Sequence, residues 1–114
     1  VTTFKSIRKK LTGDYWALGM LTVPALATAL EVTDIMLKHS DSISLIGILT
    51  RPHHISVVIA GEPGYVRSAL AAASQTLGGE RVEISQVFVV RPHEQLLDWL
   101  EAVLGGHIPG FGTL

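Results

Sequence analysis

Residues 43–60 read Ile43-Ser44-Leu45-Ile46-Gly47-Ile48-Leu49-Thr50, then Arg51-Pro52-His53-His54, then Ile55-Ser56-Val57-Val58-Ile59-Ala60. Two apolar runs rich in β-branched residues flank four polar or turn-forming ones, which is the pattern of paired strands. Pro52 cannot donate to a strand ladder and so ends the first run. The stretch therefore predicts two strands, Ile43–Thr50 and Ile55–Ala60, joined as a hairpin around Arg51–His54.

Working outward, each strand of this hairpin is flanked by a helical pattern. On the N-terminal side, Tyr15–Leu21 is mostly apolar and predicts a buried strand. Pro24 suits the first turn of a following helix. Leu26, Leu30, Thr33 and Leu37 supply one face of that helix, with Ala29 and Val32 alongside. Lys38 and His39 fall in its last turn, where cations complement the helix dipole. On the C-terminal side, Gly61-Glu62-Pro63-Gly64 opens a second helix over the alanine-rich stretch Val66–Leu77, and Gly78 and Gly79 end it. Val82–Val90 predicts a fourth strand. Pro92 starts a last helix with Leu96, Leu97, Leu100 and Leu104 on its apolar side, stopped by Gly105. The order β-α-β-β-α-β plus a final helix is the α+β, ferredoxin-like split βαβ arrangement. It carries one antiparallel sheet with helices packed on one face. Fold alone assigns no function.

Composition narrows the function classes. The chain has 114 residues, 47% hydrophobic and 17% charged, with a formal net charge of −1. Mean hydropathy is +0.39. A chain this apolar is not disordered as a whole, and its length suits one domain. A soluble domain usually carries about 25% charged residues, so part of this surface is expected to be covered by partners. Near-neutral charge gives no bulk attraction to nucleic acid or membrane, and neither is expected as a partner. The absence of cysteine excludes disulfides, thiolate metal sites and cysteine nucleophiles. No run approaches the length of a membrane span. Lys5, Arg8, Lys9 and Lys10 are not followed by the apolar core of a secretory signal, so a cytoplasmic location is expected.

Two terminal segments differ from residues 15–104. Residues 105–114 are rich in turn formers and are expected to form an irregular tail. Residues 1–14 are basic and polar. Within them Phe4, Ile7 and Leu11 lie at i, i+3 and i+7, with bases between, as in a short basic amphipathic helix. Alone it would be marginal in water. Docking on its own domain, contact with a partner protein and contact with nucleic acid are the readings open to it.

Three motifs, with the helix that follows the first of them, carry a family resemblance. Ala17-Leu18-Gly19-Met20, followed by a proline-started helix ending Met36-Leu37-Lys38, resembles the bacterial microcompartment shell protein family. So do Gly61-Glu62-Pro63-Gly64-Tyr65-Val66 at the second helix and Val90-Arg91-Pro92-His93-Glu94 at the third. The resemblance spans roughly residues 15–104, in unpermuted order. It implies a single-domain subunit of a cyclic homo-hexamer, tiling with other shell proteins into a facet layer that encloses enzymes, with a central pore for small metabolites. It implies no catalysis by this protein and no cofactor. The N-terminal extension would then offer a contact for encapsulated enzymes.

The resemblance also assigns residues. Lys38 matches the family's edge lysine and Arg91 its edge arginine, with His93 beside it. Asp41 stands where many members have Asn. The pore would be lined by Thr50, Arg51, Pro52, His53 and His54. This loop lacks the glycines of the family pattern. Six copies of Arg51 about an axis would make a positive ring at any physiological pH, favouring small anions. The plainer reading has Arg51 and the histidines capping loop groups or facing water. His53 and His54 also allow a symmetry-built metal site, although no second-shell pattern accompanies them, and no metal is expected. No nucleophile elbow, phosphate loop or dinucleotide fingerprint is present. The alternative is a small oligomeric α/β regulatory ligand-binding module or enzyme.

Overall fold

A computed structural model describes residues 4–13, 15–78 and 84–105, with side chains placed over 7–13, 15–77 and 84–104. The expectations for Gly79, for the start of the fourth strand at Val82 and for the tail beyond Gly105 lie outside these residues. In order, the elements are α1 (Phe4–Gly13), β1 (Ala17–Val23), α2 (Leu26–His39), β2 (Ser44–Arg51), β3 (His54–Gly61), α3 (Pro63–Gly78), β4 (Ser85–Val90) and α4 (Glu94–Leu100). α4 runs on into a π-helical turn, Glu101–Gly105.

The four strands form one sheet in the order β2-β3-β1-β4. Every neighbouring pair is antiparallel. This is the split βαβ topology expected from the hairpin and its flanking helices. β2 and β3 pair through Arg51↔His54, leaving Pro52 and His53 as the loop. A bulge between Leu45 and Gly47 shifts the register of β2.

The central strands are apolar at nearly every position because both faces of the sheet are covered. Ala17, Leu21 and Val23 of β1 and Ile55, Val57 and Ile59 of β3 face α2 and α3, in a core with Val32, Met36, Val66, Leu70 and Leu77. Leu18 of β1 and Val58 and Ala60 of β3 face the other way. They pack with Ile7 and Leu11 of α1 and with Leu97, Leu100 and Leu104. The expectation of helices on one face holds for α2 and α3 and is corrected for the last helix, which crosses to the opposite face with α1. The alternation of β1 and β3 supplies the reason: Leu18, Val58 and Ala60 would otherwise expose an apolar stripe. Burying Ile7 and Leu11 there contributes up to about 1.5–3 kcal/mol each, which a marginal ten-residue helix needs.

α2 is rotated from the face expected for it. Ala29, Val32, Thr33 and Met36 are its buried residues, whereas Leu26 and Leu30 are 51% and 55% exposed. The small Ala29 lets the helix approach the sheet closely. Thr33 is tolerated inside because its hydroxyl donates to the Ala29 carbonyl at 2.6 Å. Gly19 makes the same allowance for α3: a Cβ there would lie 2.7 Å from Val66 Cγ1.

Candidate functional site

The candidate residues fall into two groups at opposite ends of the sheet. At one end is the β2–β3 loop. Pro fixes its own φ near −65°, and His53 adopts φ 62°. That pairing is the signature of a type II turn, in which glycine usually holds the second position. Arg51, Pro52, His53 and His54 are all exposed, and Thr50 is partly buried on β2. His53 and His54 border a small recess of about 60 Å³ with Thr22, Val23, Pro24 and Ser85. The loop thus rests beside the turn from β1 into α2. Among the described residues, no three His, Asp or Glu side chains converge as a metal set.

Arg91, His93 and Asp41 gather at the other end. Ala17 pairs with Gly61 on one side and Val90 on the other, so the end of β4 and the end of β3 are level. Gly61 in turn sits against the 40–43 turn: a Cβ there would be 2.5 Å from the Ser42 carbonyl oxygen. Asp41 is exposed in that turn, which Ser40 shapes by accepting from the Ser42 N–H at 3.1 Å. Lys38 lies in the last turn of α2, just before it. Its Nζ is 2.9 Å from Asp34 Oδ2, one helical turn back. Exposed i,i+4 pairs of this kind are weak, so Lys38 exchanges partners at small cost.

Arg91 is held by three features. Its backbone adopts φ 51°. Its N–H donates to the Trp16 carbonyl at 3.1 Å. Its guanidinium lies over the Tyr15 ring, 4.2 Å from the centroid. Pro92 follows and is buried. His93 caps α4: its backbone is extended, and its Nδ1 accepts from the Gln95 N–H at 3.0 Å. Arg91, Pro92, His93 and Glu94 border a groove of about 500 Å³ with Thr12 of α1.

α1 is tied to α4 by charge as well as by its apolar face. Arg8 donates to Asp98 Oδ1 at 2.6 Å and to Glu101 Oε2 at 2.9 Å. The hydrogen bond to Asp98 leads in holding the guanidinium proton more firmly than usual, with Glu101 adding to it. Sequence reading passed over Tyr15, Asp34 and this Arg8 cluster. The Asp34–Lys38 spacing was available as a signal. The Arg8 partners, some ninety residues away, left none.

A family model described as BMC domain matches residues 17–92. Among solved structures, the chain is similar to the crystal structure of a microcompartments protein from Desulfitobacterium hafniense DCB. Identity is 25%, the match covers 77% of this chain and 48% of that one, and the TM-score is 0.64. This chain therefore spans about half the length of that protein. A de novo designed protein, Foldit4, aligns over 65% of this chain and 96% of its own at 6% identity, with a TM-score of 0.49. No curated protein matches.

Proposed function

The chain belongs to the BMC domain family, the family of bacterial microcompartment shell proteins, and we propose that it acts as a structural subunit of such a shell. Its subunits close into a hexameric ring, and rings tile into a facet layer together with other shell proteins of the compartment. The protein performs no chemistry and holds no cofactor; its work is geometric. A heterologous contact repeated around an axis generates a ring when the rotation closes.

One observation carries this reading: the loop Thr50–His54 and the group Lys38, Asp41, Arg91 and His93 occupy opposite ends of the sheet. β3 separates them by about 20 Å of strand. A subunit built this way directs one end toward a ring axis and the other toward the ring's rim. The axial end brings six Arg51 side chains together and favours small anionic metabolites. The rim end presents Arg91, held by its Tyr15 stack, and Lys38, whose weak local pair is readily exchanged. Apolar side chains on the remaining outside, Leu26 and Leu30 on α2 and Val87 and Val90 on the β4 edge, support contacts between subunits within the ring. Covering them accounts for the low charged fraction. With α1 packed on its own sheet and Lys10 lying over the Trp16 ring, 4.8 Å from its centroid, Lys9 is an exposed base of the described extension that faces a partner, such as an enclosed enzyme.

Electron microscopy of the purified protein at moderate salt tests the reading. Flat layers with sixfold symmetry are expected, and Lys38→Ala and Arg91→Ala should abolish the layers while leaving single rings. Dispersed monomers that bind a small ligand saturably would instead favour a regulatory module.

A further inference from the structure

We propose that Trp16 is a positioning residue: through it the docked helix α1 holds Arg91, so that releasing α1 releases Arg91. The shell reading bears only on what this does to layers. Trp16 immediately precedes β1 and is bonded in both directions. Its N–H donates to the Lys10 carbonyl at 3.4 Å, and its carbonyl accepts from the Arg91 N–H at 3.1 Å. The Lys10 Nζ lies over its ring, 4.8 Å from the centroid. The side chain also packs against the apolar cluster that Ile7 and Leu11 share with Leu18 and Leu97. One residue back, the Tyr15 ring carries the Arg91 guanidinium at 4.2 Å.

α1 reaches the Arg91 segment from its other side as well. Arg8 Nη2 lies 3.5 Å from the Glu94 carbonyl, and the same guanidinium holds Asp98 and Glu101. Thr12 borders the groove formed with Arg91, Pro92, His93 and Glu94. This grip has something to resist. Tyr15 and Arg91 both hold left-handed backbone, which persists only where the surroundings over-determine it. With a hold lost, the backbone relaxes toward the ordinary regions. α1 is also built to open before the rest of the fold. Its ten residues are too few to stand as a helix alone in water. Ile7 and Leu11 are its buried anchors among the described side chains, and its ion pairs are exposed ones, which contribute little. Segments anchored this lightly open locally while the remainder stays folded. The core under α2 and α3 lies on the opposite face of the sheet and contains no residue of α1.

Amide hydrogen exchange, read residue by residue on the full chain, tests this. Leu11→Ala loosens α1, and Leu77→Ala thins the core on the opposite face of the sheet by the same truncation. In Leu11→Ala the amides of residues 8–12 and of Arg91 should speed up together, by about tenfold. In Leu77→Ala both should keep wild-type rates. Lys10→Ala leaves both cores whole and should speed the Arg91 amide by a smaller factor. Lys10→Arg keeps a cation over the Trp16 ring and should restore the wild-type rate. If Leu11→Ala does not fold, the two Lys10 variants decide. An Arg91 amide that stays at its wild-type rate while residues 8–12 exchange faster would overturn the proposal. So would Leu77→Ala speeding Arg91 as much as Leu11→Ala does, or a Lys10→Ala protein with unchanged Arg91 exchange. These rates are read whether or not the wild type forms layers, so a missing layer counts against the shell reading alone.

Discussion

The guanidinium of Arg91 lies 4.2 Å from the centre of the Tyr15 ring, and both residues hold left-handed backbone, at φ 51° and 59°. They sit just beyond the paired ends of β4 and β1, where Val90 faces Ala17. Two non-glycine residues in this conformation cost about 1–3 kcal/mol each. They persist because the stack and the Arg91 N–H to Trp16 carbonyl bond hold them. The same two contacts fix where the Arg91 side chain points.

Tyr15→Phe keeps the ring face and should leave stability unchanged. Tyr15→Ala removes the stack and should lower the melting temperature by a few degrees, in keeping with roughly 0.5–1 kcal/mol for an exposed cation–π contact. Arg91→Lys retains the charge but not the planar fork. It should cost layers more than rings, as read by electron microscopy beside a melting curve. Equal loss of both would contradict a rim role.

Two glycines should respond unequally to alanine. At Gly19 the added methyl meets side chains of Val66, Ile59 and Leu70, which yield at an overpacking cost of about 1–3 kcal/mol. At Gly61 it meets the Ser42 backbone carbonyl and the Ile43 Cα, which yield only by moving the 40–43 turn. Denaturant midpoints should place Gly61→Ala well below Gly19→Ala.

α1 should be held chiefly by its apolar face. Leu11 is fully buried, so Leu11→Ala should cost about 2–5 kcal/mol, measured by urea unfolding. Arg8→Ala should cost less and abolish the salt sensitivity of the α1–α4 contact. Its pH dependence follows from the raised guanidinium value. The contribution is fully present below the ordinary guanidinium range and is lost only as pH rises past the raised one. Through neutral and moderately alkaline pH, the Arg8 side of the contact should therefore be flat.

The pore reading has its own test. Arg51→Gln should weaken anion preference in conductance across a reconstituted layer, without changing ring mass. His53→Gly places glycine where φ is 62° and should leave stability within about 1 kcal/mol. A cation-selective wild-type pore would contradict the Arg51 ring.

The hairpin and the helix–strand order were legible because the apolar runs 43–50 and 55–60 bracket Pro52, whose missing N–H allows few alternatives. The burial of the sheet's second face was not legible: the fold class suggested helices on one face, and the partners that cover Leu18, Val58 and Ala60 come from the two ends of the chain. The rotation of α2 was not: Leu26 and Leu30 look like core by size, and only the closeness permitted by Ala29 turns them outward. For the candidate site, sequence named Arg91 and His93, but not their anchors. Tyr15 and the Gln95 amide become partners through strand pairing and a local turn, neither of which has a side-chain signature. The Arg8 contacts with Asp98 and Glu101 depend on both helices reaching the same face of the sheet.

The central claim is that these subunits close into six-membered rings. Light scattering coupled to size exclusion, on tag-free protein at moderate salt, tests it most directly. A particle of six chains, with larger assemblies growing as salt is lowered, is the predicted result. A stable monomer, dimer or trimer across the same salt range would contradict it.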